Sequence, residues 1–260
     1  MNFFVEGLQG SGKSTLVGRL AGMYPDHTAV REGEYSPVEL AWCAYVSTSK
    51  YNEIIEKYTD IRTQLMEKSY TEGDRTVICY TKIKTDIPGF YSDLEQYEIY
   101  NGRMPLETLK KTVLDRFAKW DSDNMIFECS LFQNIVEDMM LFHCMSDQEI
   151  TGFYKELAGI LKGKDYRIMY LEADDISSNM DIIRKERSDG QGNELWFPLM
   201  CGYFDSSPYA KSRGISGETE LLRHLAHRQE LELRICREVF PDRFSILRSK
   251  GYWERDLMIL

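Results

Sequence analysis

Residues 3–15 read Phe3-Phe4-Val5-Glu6-Gly7-Leu8-Gln9-Gly10-Ser11-Gly12-Lys13-Ser14-Thr15, an apolar run entering Gly-x-x-x-x-Gly-Lys-Ser and leaving into Leu16-Val17-Gly18-Arg19-Leu20-Ala21, which has helical spacing. Strand, glycine loop and helix in that order commit the start of the chain to a unit whose loop amides turn inward around an anion. The helix opening near Lys13 adds the positive end of its dipole. In this setting Leu8, Gln9, Gly10, Ser11, Gly12, Lys13, Ser14 and Thr15 are expected to cradle a nucleoside triphosphate. Lys13 would reach the β- and γ-phosphates, and the Ser14 hydroxyl would ligate Mg²⁺.

Further along, compact apolar runs at Met125-Ile126-Phe127, Ile168-Met169-Tyr170-Leu171 and Phe244-Ser245-Ile246-Leu247 read as buried strands, with helical periodicity over about 131–143, 147–162, 174–188 and 217–240. Such alternation predicts an α/β fold, a parallel sheet with helices on both faces. Pro37, followed by Val38, Leu40, Ala41, Ala44 and Tyr45, predicts a helix start; one helix is expected over about 52–69, a strand at Thr76–Tyr80 and a helix from Pro105 to about Trp120. No Pro/Gly/Ser-rich linker divides the 260 residues, so a single domain is expected, with an insertion at about 70–104.

The formal charge of −10 opposes wrapping a nucleic-acid polymer, which needs clustered Lys and Arg. No apolar run approaches the ~20 residues that span a bilayer, and the N-terminus leads into a strand, so a cytoplasmic protein with no membrane partner is expected. Cys43, Cys79, Cys129, Cys144, Cys201 and Cys236 form no Cys-x-x-Cys pair and read mostly as buried thiols. His224 and His227, three apart on a helix, lack a third ligand at matching spacing and read as packing or surface residues.

Phosphoryl transfer also needs cations around the moving group and a carboxylate at the end of a strand. Glu128, directly after Met125-Ile126-Phe127, meets that requirement as a metal-organising carboxylate; the alternative is a helix-start carboxylate near Ser130. Glu32 and Glu34 follow the Ala29-Val30 run on the same rim, and Glu32 is the preferred general base, against a solvated turn. Arg184 and Arg187, three apart at a helix end, would share one face of a lid over about 184–214, with Gly190 and Gly192 allowing closure. The alternative is a solvated helix end with salt bridges to Glu186 or Asp189. Tyr35, Glu39 and Trp42 lie in an aromatic stretch that could wall an acceptor pocket or simply pack; the same two readings hold for Phe197, Tyr203, Phe204 and Tyr209.

On these residues the chain resembles the P-loop kinase group that contains thymidylate kinases and deoxynucleoside kinases. Phe4–Thr15 is similar to their first strand and phosphate loop, Arg31-Glu32 to the Arg-Glu-Pro turn, Glu128-Cys129-Ser130 to Glu-Arg-Ser, and Arg184-Lys185-Glu186-Arg187 to the arginine lid. Gly33 stands where that turn has Pro, and Cys129 where the second motif has Arg. The whole-chain pattern is also similar to bacterial P-loop proteins labelled ATPases or kinases. The resemblance implies a P-loop NTPase fold with strand order 2-3-1-4-5, ATP and Mg²⁺, and transfer of the γ-phosphoryl group to a small-molecule acceptor: a nucleoside, a nucleotide, or another hydroxylated metabolite or drug. A nucleotide-binding switch with weak ATPase activity shares the same loop and is the alternative. A homodimer is compatible with either.

Overall fold

The computed structural model describes residues 1–189 and 191–252, which fall into two compact units: Met1–Ala29 together with the chain from Ser122 onward, and Val30–Asp121. The first unit opens with β1 (Asn2–Gly7), the glycine loop, α1 (Lys13–Met23) and β2 (Thr28–Val30), at whose last residue the second unit begins. The second unit holds β3 (Ala44–Ser47), α2 (Thr48–Lys57), α3 (Arg62–Glu67), β4 (Ser69–Glu72), β5 (Arg75–Ile78), α4 (Phe90–Glu95) and α5 (Leu106–Lys119). The first unit resumes with β6 (Met125–Glu128), α6 (Gln133–Leu141), α7 (Asp147–Ile160), β7 (Tyr166–Glu172), α8 (Ile176–Glu186), α9 (Trp196–Ser206), α10 (Pro208–Arg213), α11 (Glu218–Val239) and β8 (Phe244–Arg248).

The five-stranded sheet has the order β2-β6-β1-β7-β8, and β1 pairs in parallel with both β6 and β7, as β7 does with β8. Numbered among themselves in chain order, these strands run 2-3-1-4-5, the order the sequence resemblance implied. Side chains alternate across the pleat, and both faces are buried. Phe3 and Val5 join Ile126, Met169 and Leu171 against Leu16, Val17 and Leu20 of α1. On the opposite face Phe4 stacks on Phe127 at 5.0 Å between ring centroids, and Phe132 packs on Tyr154 of α7 and on Tyr170. The sequence thus places helices on both sides of a parallel sheet, as expected for this α/β arrangement.

The second unit contains an antiparallel sheet in the order β3-β5-β4, with Ala44 opposite Ile78 and Ser69 opposite Ile78 on the other side. Its core gathers Ala44, Val46, Ile54, Ile55, Leu65, Ile78, Phe90 and Leu94. Three sequence expectations are corrected here. No helix starts at Pro37: the Ser36 hydroxyl accepts from Val38 and Glu39 N–H, and the Glu39 carboxylate accepts from Leu40 and Ala41 N–H. Side chains thereby take the amides a helix would use, Trp42 adopts φ 62°, and the chain enters β3. The single helix over 52–69 is broken at Tyr58, whose hydroxyl donates to Asp93 and whose ring meets Phe90 edge-on at 5.1 Å. Residues 69–72 form β4, where a helix end at 69 and the start of an insertion at about 70 are expected. Among the described residues no helix is long and apolar enough to cross a membrane.

Candidate functional site

Gly10 shows why the loop after β1 needs glycine. It sits at φ 67°, and a Cβ there would lie 2.0 Å from Ile183 Cγ1 on α8. The loop closes on itself through Ser11 N–H to the Leu8 carbonyl at 3.2 Å, and α1 begins at Lys13 with Gly12 as its N-cap. No side chain caps that helix start, and no acidic residue lies in its first turn. The positive end of α1 is therefore not offset from within the helix, which suits an anion. Lys13, only 6% exposed, turns its ammonium back on the loop and donates to the Gly7 carbonyl at 2.8 Å and the Leu8 carbonyl at 2.6 Å.

Strand pairing brings the next group into place. Val5 is in register with Glu128, and alternation along β6 puts Glu128 on the face that carries Ile126 and meets α1. There the Ser14 hydroxyl of α1 donates to Glu128 Oε1 across 114 residues of sequence. Both are oxygen donors, the set that Mg²⁺ takes, usually with one or two carboxylates and the rest supplied by water and phosphate. After Glu128 the chain turns at Cys129, φ 56°, whose buried side chain presents no cation where the resembling motif has arginine. Leu131 and Phe132 N–H then donate to Glu6 at 2.7 and 3.2 Å. Burial pushes the Glu6 carboxyl up to about 8 despite those two amides.

Arg184 and Arg187 are at the C-terminal end of α8, as expected, but face neighbours on or before α9 and α11. Arg184 Nε donates to both Glu194 oxygens at 3.0 Å and Nη1 to Glu218 at 2.8 Å, with its guanidinium 4.2 Å from the Phe197 ring centroid. Arg187 lies 4.5 Å over the Trp196 ring. The alternative expectation of pairing with Glu186 or Asp189 is corrected: Glu186 pairs with Lys250, and Asp189 folds a tight loop onto Gln191 and Asn193. Of the two glycines expected to allow closure, Gly192 sits at φ 85° and Gly190 lies outside the described residues. Phe197 and Phe204 are buried in a cluster with Leu8, Met180, Ile183 and Leu225.

In the second unit Glu32 accepts from the indole N–H of the half-exposed Trp42 at 3.0 Å, while Glu34 accepts from Arg31 N–H at 2.9 Å. Tyr35 stacks on Tyr70 at 4.2 Å and donates to Glu72 at 2.9 Å. Glu39 is 5% exposed, and burial pushes its carboxyl up to about 7 against the pull of Tyr100 and two amides.

One cluster was not assembled from the sequence, although His224 and the i,i+4 pair Arg228–Glu232 belong to it. Beneath the sheet face that carries Glu6, the fully buried Arg228 of α11 donates to Glu137 Oε2 at 2.9 Å and to Gln9 Oε1 at 2.7 Å. His224 meets the same Glu137 oxygen at 2.8 Å, and Tyr170 donates to Glu232 at 2.6 Å. Burial alone would raise the Glu137 carboxyl, but Arg228 and His224 hold it down at about 2. His227 pairs with Asp147 at 2.9 Å, so the two histidines go to separate carboxylates. Among the described residues no group of three or more His, Cys, Asp or Glu is placed to hold a metal ion.

No protein-family model matches the chain, and no curated protein sequence matches it. Among solved structures the chain is similar to a deoxyadenosine kinase from M. mycoides with bound dATP, at 11% identity and TM-score 0.41, covering 100% of this chain and 96% of that one.

Proposed function

We propose that the chain is an ATP- and Mg²⁺-dependent phosphotransferase acting in the cytoplasm on a small-molecule acceptor: a nucleoside, a nucleotide, or another hydroxylated metabolite or drug. The observation that supports this best is the uncapped start of α1, with the Lys13 ammonium inside the loop and the Ser14 hydroxyl against Glu128. Residues 8–15 bind the triphosphate through backbone amides, and Lys13 offsets charge on its β- and γ-phosphates. Ser14 and Glu128 would hold Mg²⁺, which would supply positive charge to offset that of the triphosphate. Glu32 accepts the proton of the acceptor hydroxyl as its oxygen bonds to the γ-phosphorus and ADP leaves. Arg184 and Arg187, on a lid over about 184–214, stabilise the moving phosphoryl group once Glu194 and Glu218 yield Arg184. Tyr35, Glu39 and Trp42 wall the acceptor.

The test is acceptor-dependent release of ADP by the purified chain across nucleosides, nucleotides and hydroxylated antibiotics. Lys13→Ala is expected to lower turnover by about 10²–10³, the range for losing one preorganised charge-stabilising group, in a chain that still folds. Equal turnover in the variant and the parent refutes the assignment, and ADP release indifferent to every acceptor favours a nucleotide switch.

A further inference from the structure

We infer that Arg228 is a positioning residue that locks the Gln9 turn of the phosphate loop from outside the motif, an inference that rests on the nucleotide site proposed above. Arg228 is on α11, 219 residues from Gln9, and its side chain is wholly inaccessible to solvent. Its planar fork is shared among three neighbours. Nη1 donates to Glu137 at 2.9 Å, Nη2 donates to Gln9 Oε1 at 2.7 Å, and Nε lies 3.3 Å from Glu232 Oε1. Two buried carboxylates account for the cation but not for the third direction, which ends on a neutral amide in the loop.

A glycine-rich loop has more backbone freedom than any other segment, and a cradle of amides binds phosphate well only if that freedom is removed beforehand. Gln9 stands between Gly7 and Gly10, so its side chain is the handle nearest the turn that aims those amides. The rigid guanidinium suits this task, because a fork fixed by Glu137 and Glu232 leaves the remaining N–H pointing one way. A second grip supports the same turn. Asn179 of α8 donates to the Gln9 carbonyl at 3.5 Å, Ile183 closes against Gly10, and the Ser249 hydroxyl donates to the Ser11 carbonyl at 2.9 Å. Gln9 is thus held through its side chain by α11 and through its backbone by α8.

A role confined to charge balance with Glu137 and Glu232 would leave the loop indifferent to Gln9, and this separates the two readings. Gln9→Ala leaves the carboxylate partners in place and removes the link, at the cost of one unpartnered Arg228 N–H; Arg228→Lys keeps the charge but loses the fork. In the nucleotide-free chain, amide hydrogen exchange over residues 8–12 is expected to accelerate in both variants. Affinity for a fluorescent N-methylanthraniloyl-ATP with Mg²⁺ should fall about tenfold in each, as for loss of one charge-assisted hydrogen bond. The double variant should fall no further than the weaker single one, because both act through one contact. Additive losses near a hundredfold, or unchanged loop exchange in Gln9→Ala, overturn the inference. If Arg228→Lys does not fold, amide exchange of Gln9→Ala decides alone: acceleration concentrated in residues 8–12 supports positioning, and unchanged exchange there overturns it. A parent chain that retains no nucleotide overturns the proposed function, while the exchange data still judge the clamp.

Discussion

A methyl group added at Gly10 would meet two separate penalties. At φ 67° an alanine occupies the left-handed region, at about 1–2 kcal/mol. Its Cβ would also stand 2.0 and 2.1 Å from Ile183 Cγ1 and Cδ1, contacts that force overpacking at about 1–3 kcal/mol. Gly10→Ala should therefore destabilise the first unit by about 2–5 kcal/mol, a melting shift on the order of 5–15 °C. Ile183 is 1% exposed among Leu8, Met180 and Phe197, so Ile183→Ala by itself should cost about 2–5 kcal/mol through the cavity it leaves. Combined with Gly10→Ala, the second truncation makes room for the first, and the pair should be less destabilising than the sum by about 1–3 kcal/mol. At Gly12, φ 99°, nothing lies within 4 Å of an added Cβ, so Gly12→Ala should combine additively with Ile183→Ala. Urea and thermal denaturation of the single and double variants measure every term. Strict additivity of Gly10→Ala with Ile183→Ala, or a Gly10→Ala protein that melts with the parent, refutes the packing of α8 on the loop.

Two further outcomes are expected. The Glu39 carboxyl, pushed by burial up to about 7 from an ordinary 4.5, holds its proton in the folded state over a range where the unfolded chain has lost it. That contribution is fully present below pH 4.5 and is lost as pH rises towards 7, on the order of 3 kcal/mol in all. Glu39→Gln should flatten this part of the stability profile in urea melts, and an identical slope in parent and variant would count against it. Maleimide should label the exposed Cys144 first, with Cys43, Cys79, Cys129 and Cys236 protected until unfolding, as read by mass spectrometry at increasing urea; early loss of the Cys43 thiol would contradict its burial.

The glycine loop was legible because its determinants are contiguous. Gly10 and Gly12 at positive φ, Lys13 one residue on and the apolar run before them are all within a dozen or so positions, and no distant partner is needed to recognise them. The same holds for the buried strands β6, β7 and β8, whose apolar runs and intervening helical periods identified a parallel sheet. Glu128 was recognisable as a carboxylate because it directly follows the apolar run Met125-Ile126-Phe127 at a strand end, and the structure sets it against Ser14. Arg184 and Arg187 were legible as a cationic helix end, but their carboxylate and aromatic neighbours lie on segments whose approach no local spacing encodes.

The amino-acid sequence by itself determined the glycine loop, its helix and the alternating α/β order, because backbone conformation and hydrophobic period act over a few neighbouring residues. Only the tertiary structure decided what the polar side chains do. Ser36 and Glu39 consume the amides of a would-be helix, Tyr58 breaks another by reaching Asp93, and polar β4 exists only because β5 supplies its hydrogen-bond partners. Arg228 reaching Gln9 is the extreme case: a buried charge must find its partners wherever the fold brings them, and beyond Glu232 on its own helix these are Glu137 and Gln9, 91 and 219 residues away.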